Sequence, residues 1–193
     1  MRWSVLGETG ADVSRLREEH LPALARIATG AKERGERLDA VVVMTGLNDI
    51  KECFLFAQPS RHAGSFRDGL GELLLSIHSL AGAERSALLL PNTPLQVCPR
   101  FSEHWPLSLA VRAVTWLWEK KKCEAVMREA RRRVLLGEDD VINQSVRFVE
   151  APAELVEGRL FSADGMHPND AGYGVWAELV AQQLLTMFRD PRL

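Results

Sequence analysis

The chain has 193 residues, 46% of them hydrophobic and 26% charged, with a formal net charge of −2. That length and composition fit one globular domain with a full core and exclude a disordered or fibrous chain. Both signs of charge are spread along the sequence, so no nucleic-acid surface is expected, and no apolar run approaches the ~18 residues that span a bilayer. The cysteines Cys53, Cys98 and Cys123 lack metal-ligand spacing and are expected as free thiols in a reducing compartment.

In chain order, Trp3 to Leu6 reads as a short strand. Val13, Leu16, Leu24, Ile27 and Ala28 recur at helical spacing, with Pro22 marking a kink or a second helix start. Val41 to Met44 is a β-branched run bounded by turn residues, which suits a strand buried on both faces. Phe66, Leu70, Leu73, Leu74 and Ile77 then line one face of an amphipathic helix. Ala87 to Leu90 reads as the next strand, ended by Pro91-Asn92-Thr93-Pro94. From Leu107 to Arg133 one or two helices are expected. In that stretch Lys120-Lys121-Lys122 and Arg131-Arg132-Arg133 alternate with Glu119, Glu124 and Glu129, the pattern of a solvated face. Trp116 and Trp118 point to different sides of the helix, so one is assigned to the core. Val146 to Val149 gives a last strand. Trp176, Leu179, Val180, Leu184 and Met187 mark a closing helix capped by Asn169 or Asp170. Strands alternating with helices imply a parallel sheet covered on both faces, a three-layer α/β/α sandwich.

Such sheets place their sites outside the carboxyl ends of the strands. Three segments lie there. Val5-Leu6-Gly7-Glu8-Thr9-Gly10 ends the first strand, and Met44-Thr45-Gly46-Leu47-Asn48-Asp49 ends the second. The third, Phe161-Ser162-Ala163-Asp164-Gly165-Met166-His167-Pro168, opens the last helix. An Asp just ahead of a His in a loop punctuated by Gly and Pro builds part of a serine-hydrolase triad. The His takes a proton from a nucleophile, and the Asp fixes its tautomer. Singly, each segment also has a plainer reading: a turn glycine, an Asx turn or helix cap, a surface histidine.

In this order the segments resemble the later sequence blocks of the SGNH, or GDSL-type, hydrolases. The resemblance implies a flavodoxin-like sandwich that hydrolyses small-molecule acyl esters or thioesters without metal or cofactor. It implies that His167 is the base and Asp164 its orienting acid, and that the Asn48 side chain and the Gly7 backbone N–H donate to the oxyanion. Pro91-Asn92-Thr93-Pro94-Leu95 looks like the family's turn after its fourth strand. The match is weakest from about Cys98 to Asn143.

One block is missing. No Gly-Asp-Ser and no Gly-x-Ser-x-Gly elbow occurs in the sequence. Ser4, Ser14, Ser60, Ser65 and Ser162 lack the strand-end setting of a nucleophile, and Cys53 reads as a core or half-buried thiol. In the family the nucleophile strand lies between those expected at Trp3 and Val41. The expectation is therefore one domain over residues 1–193 with its first family strand missing, and a Trp3 strand that is poorly anchored, paired with the Val41 strand or separated from it by a gap. Two readings remain: an ester hydrolase whose nucleophile lies outside this sequence, or a non-catalytic descendant that binds an acylated ligand or a partner protein. A nucleotide-binding module of similar fold would need a glycine-rich phosphate loop, which is not present.

Overall fold

The computed structural model describes residues 2–55, 62–81, 86–135, 146–156 and 158–189. A first helical stretch comprises α1 (Val13–Arg15), a π-turn (Leu16–His20) and α2 (Leu21–Glu33), with Pro22 seated at the start of α2, where a missing N–H costs nothing. Then follow β1 (Ala40–Val42), α3 (Leu47–Leu55), α4 (Ala63–Ala81) and β2 (Ala87–Pro91). A short α5 (Pro99–Ser102), the long α6 (Leu107–Leu135), β3 (Val146–Val149) and α7 (Asp170–Arg189) complete the order.

The strands form one parallel sheet in the order β1-β2-β3. Val41 lies opposite Leu88, and Leu89 opposite Arg147. Alternate residues of β2 feed opposite cores, as the pleat requires. Leu88 and Leu90 join Phe66, Leu70, Leu73, Leu74, Ile77 and Trp118 on the side of α4 and α6. Ala87 and Leu89 join Leu160, Trp176 and Met187 on the side of α7. Helices thus cover both faces of the sheet. Leu70, Leu74, Leu89 and Leu90 are fully buried, and each such side chain contributes about 1.5–3 kcal/mol.

Three features differ from the sequence reading. The expected strand at Trp3 does not form, so the described sheet has three strands and not four. Trp3 is 80% exposed and Val5 73%; with no partner strand beside it among the described residues, the segment leaves its backbone to water. The strand near Val41 is only three residues long and forms an edge, with Val42 exposed, because it pairs on one side alone. The segment from Leu107 is one continuous helix, and in it Lys122 is buried, not solvated. The side chains of Arg131, Arg132 and Arg133 lie outside the described ones. Trp118 is the core member of its pair; Trp116 lies on the surface beneath the Lys120 ammonium, 5.1 Å from its ring centre.

The last helix starts where the polar pattern placed it. Asn169 Oδ1 accepts from Gly172 N at 3.0 Å, and Asn169 Nδ2 donates to the Arg159 and Phe161 carbonyls. That cap holds the helix against the strand-like stretch before it, and a Cβ added at Gly172 would run into the Leu160 carbonyl oxygen. Gly174, in the same helix, has nothing within 4 Å of such a Cβ. Gly172→Ala should therefore lower stability by about 1–3 kcal/mol through forced displacement of the Leu160 backbone. Gly174→Ala should be neutral or stabilising by up to about 1 kcal/mol. Thermal unfolding of the two variants side by side checks this, and equal effects would contradict it.

Candidate active site

The loop before α7 is built by its own backbone. Phe161 and Pro168 form an antiparallel bridge, Ser162 N donates to His167 O at 2.8 Å, and Gly165 N donates to Ser162 O at 2.9 Å. Gly165 turns the chain at φ +65°, a conformation that costs glycine least. Within this turn Asp164 collects three donors. Its Oδ1 accepts from Met166 N at 2.9 Å and His167 N at 3.0 Å, and its Oδ2 lies 2.6 Å from His167 Nδ1. The His167 ring and the two backbone N–H groups hold the Asp164 carboxyl well below the usual carboxylate range. An ionised carboxylate only accepts, so Nδ1 carries a hydrogen, and in the neutral ring Nε2 is then the nitrogen with the lone pair. The His167 side chain is 55% exposed, and its Nε2 has no hydrogen-bond partner among the described residues.

Asn48 lies in the first turn of α3, directly after β1. Its Nδ2 donates to Ala11 O at 2.9 Å, which uses one of its two hydrogens. The next residue reinforces the same junction: Asp49 Oδ1 accepts from Val13 N at 3.2 Å, and Asp49 Oδ2 accepts from Thr45 Oγ1 at 3.4 Å. Burial pushes the Asp49 carboxyl up to about 6; the Val13 N–H opposes that shift and the Asp12 charge adds to it.

Gly7 lies in the exposed segment that was expected to be a strand. A Cβ there would meet only Val5 Cγ1, at 4.0 Å, so no close backbone approach calls for glycine at this position in the present arrangement. Asp164 and His167 are thus brought together. Among the described residues no hydrogen bond links either of them to Asn48 or Gly7.

Loops after β1 and β2 nevertheless meet at one end of the sheet, and the His167 loop joins them. Thr93 Oγ1 donates to Thr45 O at 3.3 Å, which ties the end of β2 to the turn before Asn48. Arg100 N donates to Gly165 O at 3.0 Å, and the Cys98 thiol lies 3.5 Å from Met166 O. Burial, and then the Asp164 charge, push the Cys98 thiol up to about 11, so it is a neutral donor and not a nucleophile. Cys53 is partly buried against the larger core. The Ser162 hydroxyl is engaged with Pro168 O and the Ser65 hydroxyl with His62 O; Ser60 lies outside the described residues. No group of three or more His, Cys, Asp or Glu able to hold a metal occurs among the described residues.

Thr93 and Lys122 are the neighbours of this site that sequence reasoning passed over. The turn containing Thr93 was visible as a Pro-flanked loop, but nothing local ties it to Thr45. Lys122 was hidden within a run of lysines.

A parallel α/β sheet with an Asp-x-x-His loop ahead of its last helix has a known counterpart. The model of the GDSL-like Lipase/Acylhydrolase family matches residues 3–180, and the chain belongs to that family. Among solved structures, Axe2, an acetylxylan esterase from Geobacillus stearothermophilus, has a similar fold, with a TM-score of 0.56 at 16% identity. A mutant of Axe2 superimposes with a TM-score of 0.60, also at 16% identity. Both alignments cover 91% of this chain and 68% of the esterase. No curated protein matches the sequence.

Asp49 gives the site a measurable pH signature. Its folded carboxyl binds a proton more tightly than the unfolded one, whose ordinary value is 3.8. The stability this adds is fully present below about pH 4 and is lost as pH rises through about 6, by up to about 3 kcal/mol. Relative to Asp49→Asn, which cannot titrate, the wild type should lose stability between pH 4 and 7. Urea unfolding of both proteins across that range measures the difference, and a flat difference would refute the assignment.

Proposed function

We propose that the chain is the body of a serine ester hydrolase acting on a small-molecule carboxylic ester or thioester through an acyl-enzyme, without metal or cofactor. The observation that carries this reading is the Asp164–His167 pair, with Nδ1 held at 2.6 Å from the carboxylate on a side chain that is 55% exposed. His167 Nε2 takes the proton as a serine hydroxyl attacks the carbonyl carbon, then returns it to the leaving oxygen or sulfur. Water repeats the cycle on the acyl-enzyme. Asp164, kept ionised by its three donors, stabilises the imidazolium formed in between. The second hydrogen of Asn48 Nδ2 serves the oxyanion, where one such donor is worth about 2.7–4 kcal/mol.

The nucleophile in this proposal is not among the 193 residues. It comes with a strand that docks on the free edge of β1 and lets residues 3–6 pair on its far side, which also carries the Gly7 N–H to the oxyanion. The open edge of β1, its exposed Val42 and the exposed Trp3 and Val5 favour that assembly. Residues 1–193 then belong to a single domain. A second reading, a non-catalytic descendant that binds an acylated ligand or a partner protein, is favoured by one observation: the sequence has no Gly-Asp-Ser.

Turnover of p-nitrophenyl acetate separates the two readings, and acetylated xylo-oligosaccharides extend the test because the Axe2 neighbours are esterases of that substrate class. The 193-residue chain alone should show at most the residual ~10³–10⁴-fold advantage over water that binding and oxyanion donors give without a nucleophile. The chain extended upstream by a strand ending in Gly-Asp-Ser should turn over. In that form His167→Ala should abolish most activity and Asn48→Ala should lower kcat by about 10²–10³. Strong His167-dependent turnover by the 193-residue chain would mean that a nucleophile lies within it, whereas an inert extended chain would favour the binding role.

A further inference from the structure

We propose that Lys122 is a positioning residue for the Thr45–Asn48 turn, acting through the Thr93 hydroxyl that joins the ends of β1 and β2. What the turn does in catalysis rests on the ester-hydrolase reading; the positioning itself does not.

Lys122 is 1% exposed, although it belongs to a run of three lysines whose other members lie nearer the surface. An ammonium taken out of water loses several kcal/mol of hydration, so its partners must recover that loss. All three of its hydrogens are used: Nζ bonds Thr93 Oγ1 at 2.9 Å, Pro91 O at 3.2 Å and Glu119 Oε1 at 3.2 Å. Burial still pushes the Lys122 ammonium below its ordinary range, and the charges of Glu119 on its own helix and Asp49 on α3 oppose that shift.

The consequence lies in the direction of one hydroxyl. Lys122 can only donate, so it occupies a lone pair of Thr93 Oγ1 and leaves the Thr93 hydrogen to point elsewhere. That hydrogen goes to Thr45 O, at 3.3 Å. The Thr93 backbone is fixed too, because its N–H donates to Glu119 Oε1 at 2.8 Å. The aliphatic stem supplies a second contact. Gly46 sits at φ +118°, and a Cβ there would lie 3.0 Å from Lys122 Cε and 3.4 Å from its Nζ. Gly46 O in turn accepts the first α3 hydrogen bond, from Ile50 N at 3.0 Å. Lys122 therefore bears on both peptides that precede Asn48, one through a hydroxyl and one by direct packing.

A plug of the same volume would fill the space without directing the hydroxyl, and that difference is what the experiment reads. In the 193-residue chain, labelled for NMR, Lys122→Met leaves the mostly buried Glu119 carboxylate without its ammonium and should lower stability, so its signals are read in the folded protein. The amide resonances of Gly46 and Asn48, including the Asn48 side chain, should move. Hydrogen exchange at Ile50 should quicken roughly 5–10-fold, the size of one lost hydrogen bond. Thr93→Val should reproduce both effects and Thr93→Ser, which keeps the hydroxyl, should reverse them. In the extended, nucleophile-bearing form, Lys122→Met should lower kcat by up to about 10²-fold with KM little changed, as a displaced donor would. Unchanged Gly46, Asn48 and Ile50 signals in folded Lys122→Met or in Thr93→Val overturn the proposal. An unaffected kcat in an extended enzyme that depends on His167 overturns it as well. If Lys122→Met does not fold, the Thr93 pair decides. If the extended form does not hydrolyse esters, the function reading fails and the NMR arm still decides the positioning.

Discussion

β2 is the strand against which the rest of the molecule is registered. All five of its residues are buried, and it pairs in parallel along both edges, with β1 on one side and β3 on the other. Its alternate side chains enter the two cores, so any shift of β2 by one residue would exchange the two sets. Parallel pairing has a second consequence. All strands leave the sheet at the same end, and the chain that continues from β2 is available to touch the turns that follow the others. It does so at Thr93, against Thr45, and at Cys98 and Arg100, against Met166 and Gly165. Residues 93–100 are thus the common ground between the Asn48 turn and the His167 loop.

Buried charge collects at this end and not in the two apolar cores. Asp12, Asp49 and Lys122 are all buried there, near the junction of the first helix, α3 and the loop after β2. Each is costly to bury alone, and each is met by hydrogen bonds: Asp12 by Arg15 N, Asp49 by Val13 N and Thr45, Lys122 by its three acceptors. Apolar packing alone leaves neighbouring backbone segments free to slide by fractions of an ångström. Directed bonds to a buried ion do not, because a displaced partner leaves the charge unpaired. In the proposed reaction, that kind of fixing would aim the Asn48 N–H at the developing oxyanion.

Elements specified by local pattern were legible in the sequence. The stripe from Phe66 to Ile77, the buried run at Ala87 and the Asn169 cap each follow from residues within a few positions of one another. So does the Asp164–His167 pair, whose three bonds span residues 164–167. What failed depended on partners distant in sequence. Trp3–Leu6 has the composition of a strand, but a strand exists only beside another, and none lies next to it among the described residues. Lys122 has the composition of a solvated face, yet the close approach of Gly46 and Thr93 to α6 makes it interior. A charge pattern cannot report a contact between residues 29 positions apart.

The same division runs through the site itself. His167 and Asp164 are held by one short loop, closed by the Phe161–Pro168 bridge and anchored by the cap of α7. They need nothing from the free edge of the sheet. Asn48 and Gly7 are different in kind. Asn48 is held by its bond to the strap at residues 11–13, whereas Gly7 lies on an exposed segment outside the described sheet. In the proposed reaction, proton transfer would thus rest on local hydrogen bonds and oxyanion binding on completion of the sheet. That is why a well-formed Asp-His pair and an unpaired, solvent-exposed Gly7 occur together in one structure.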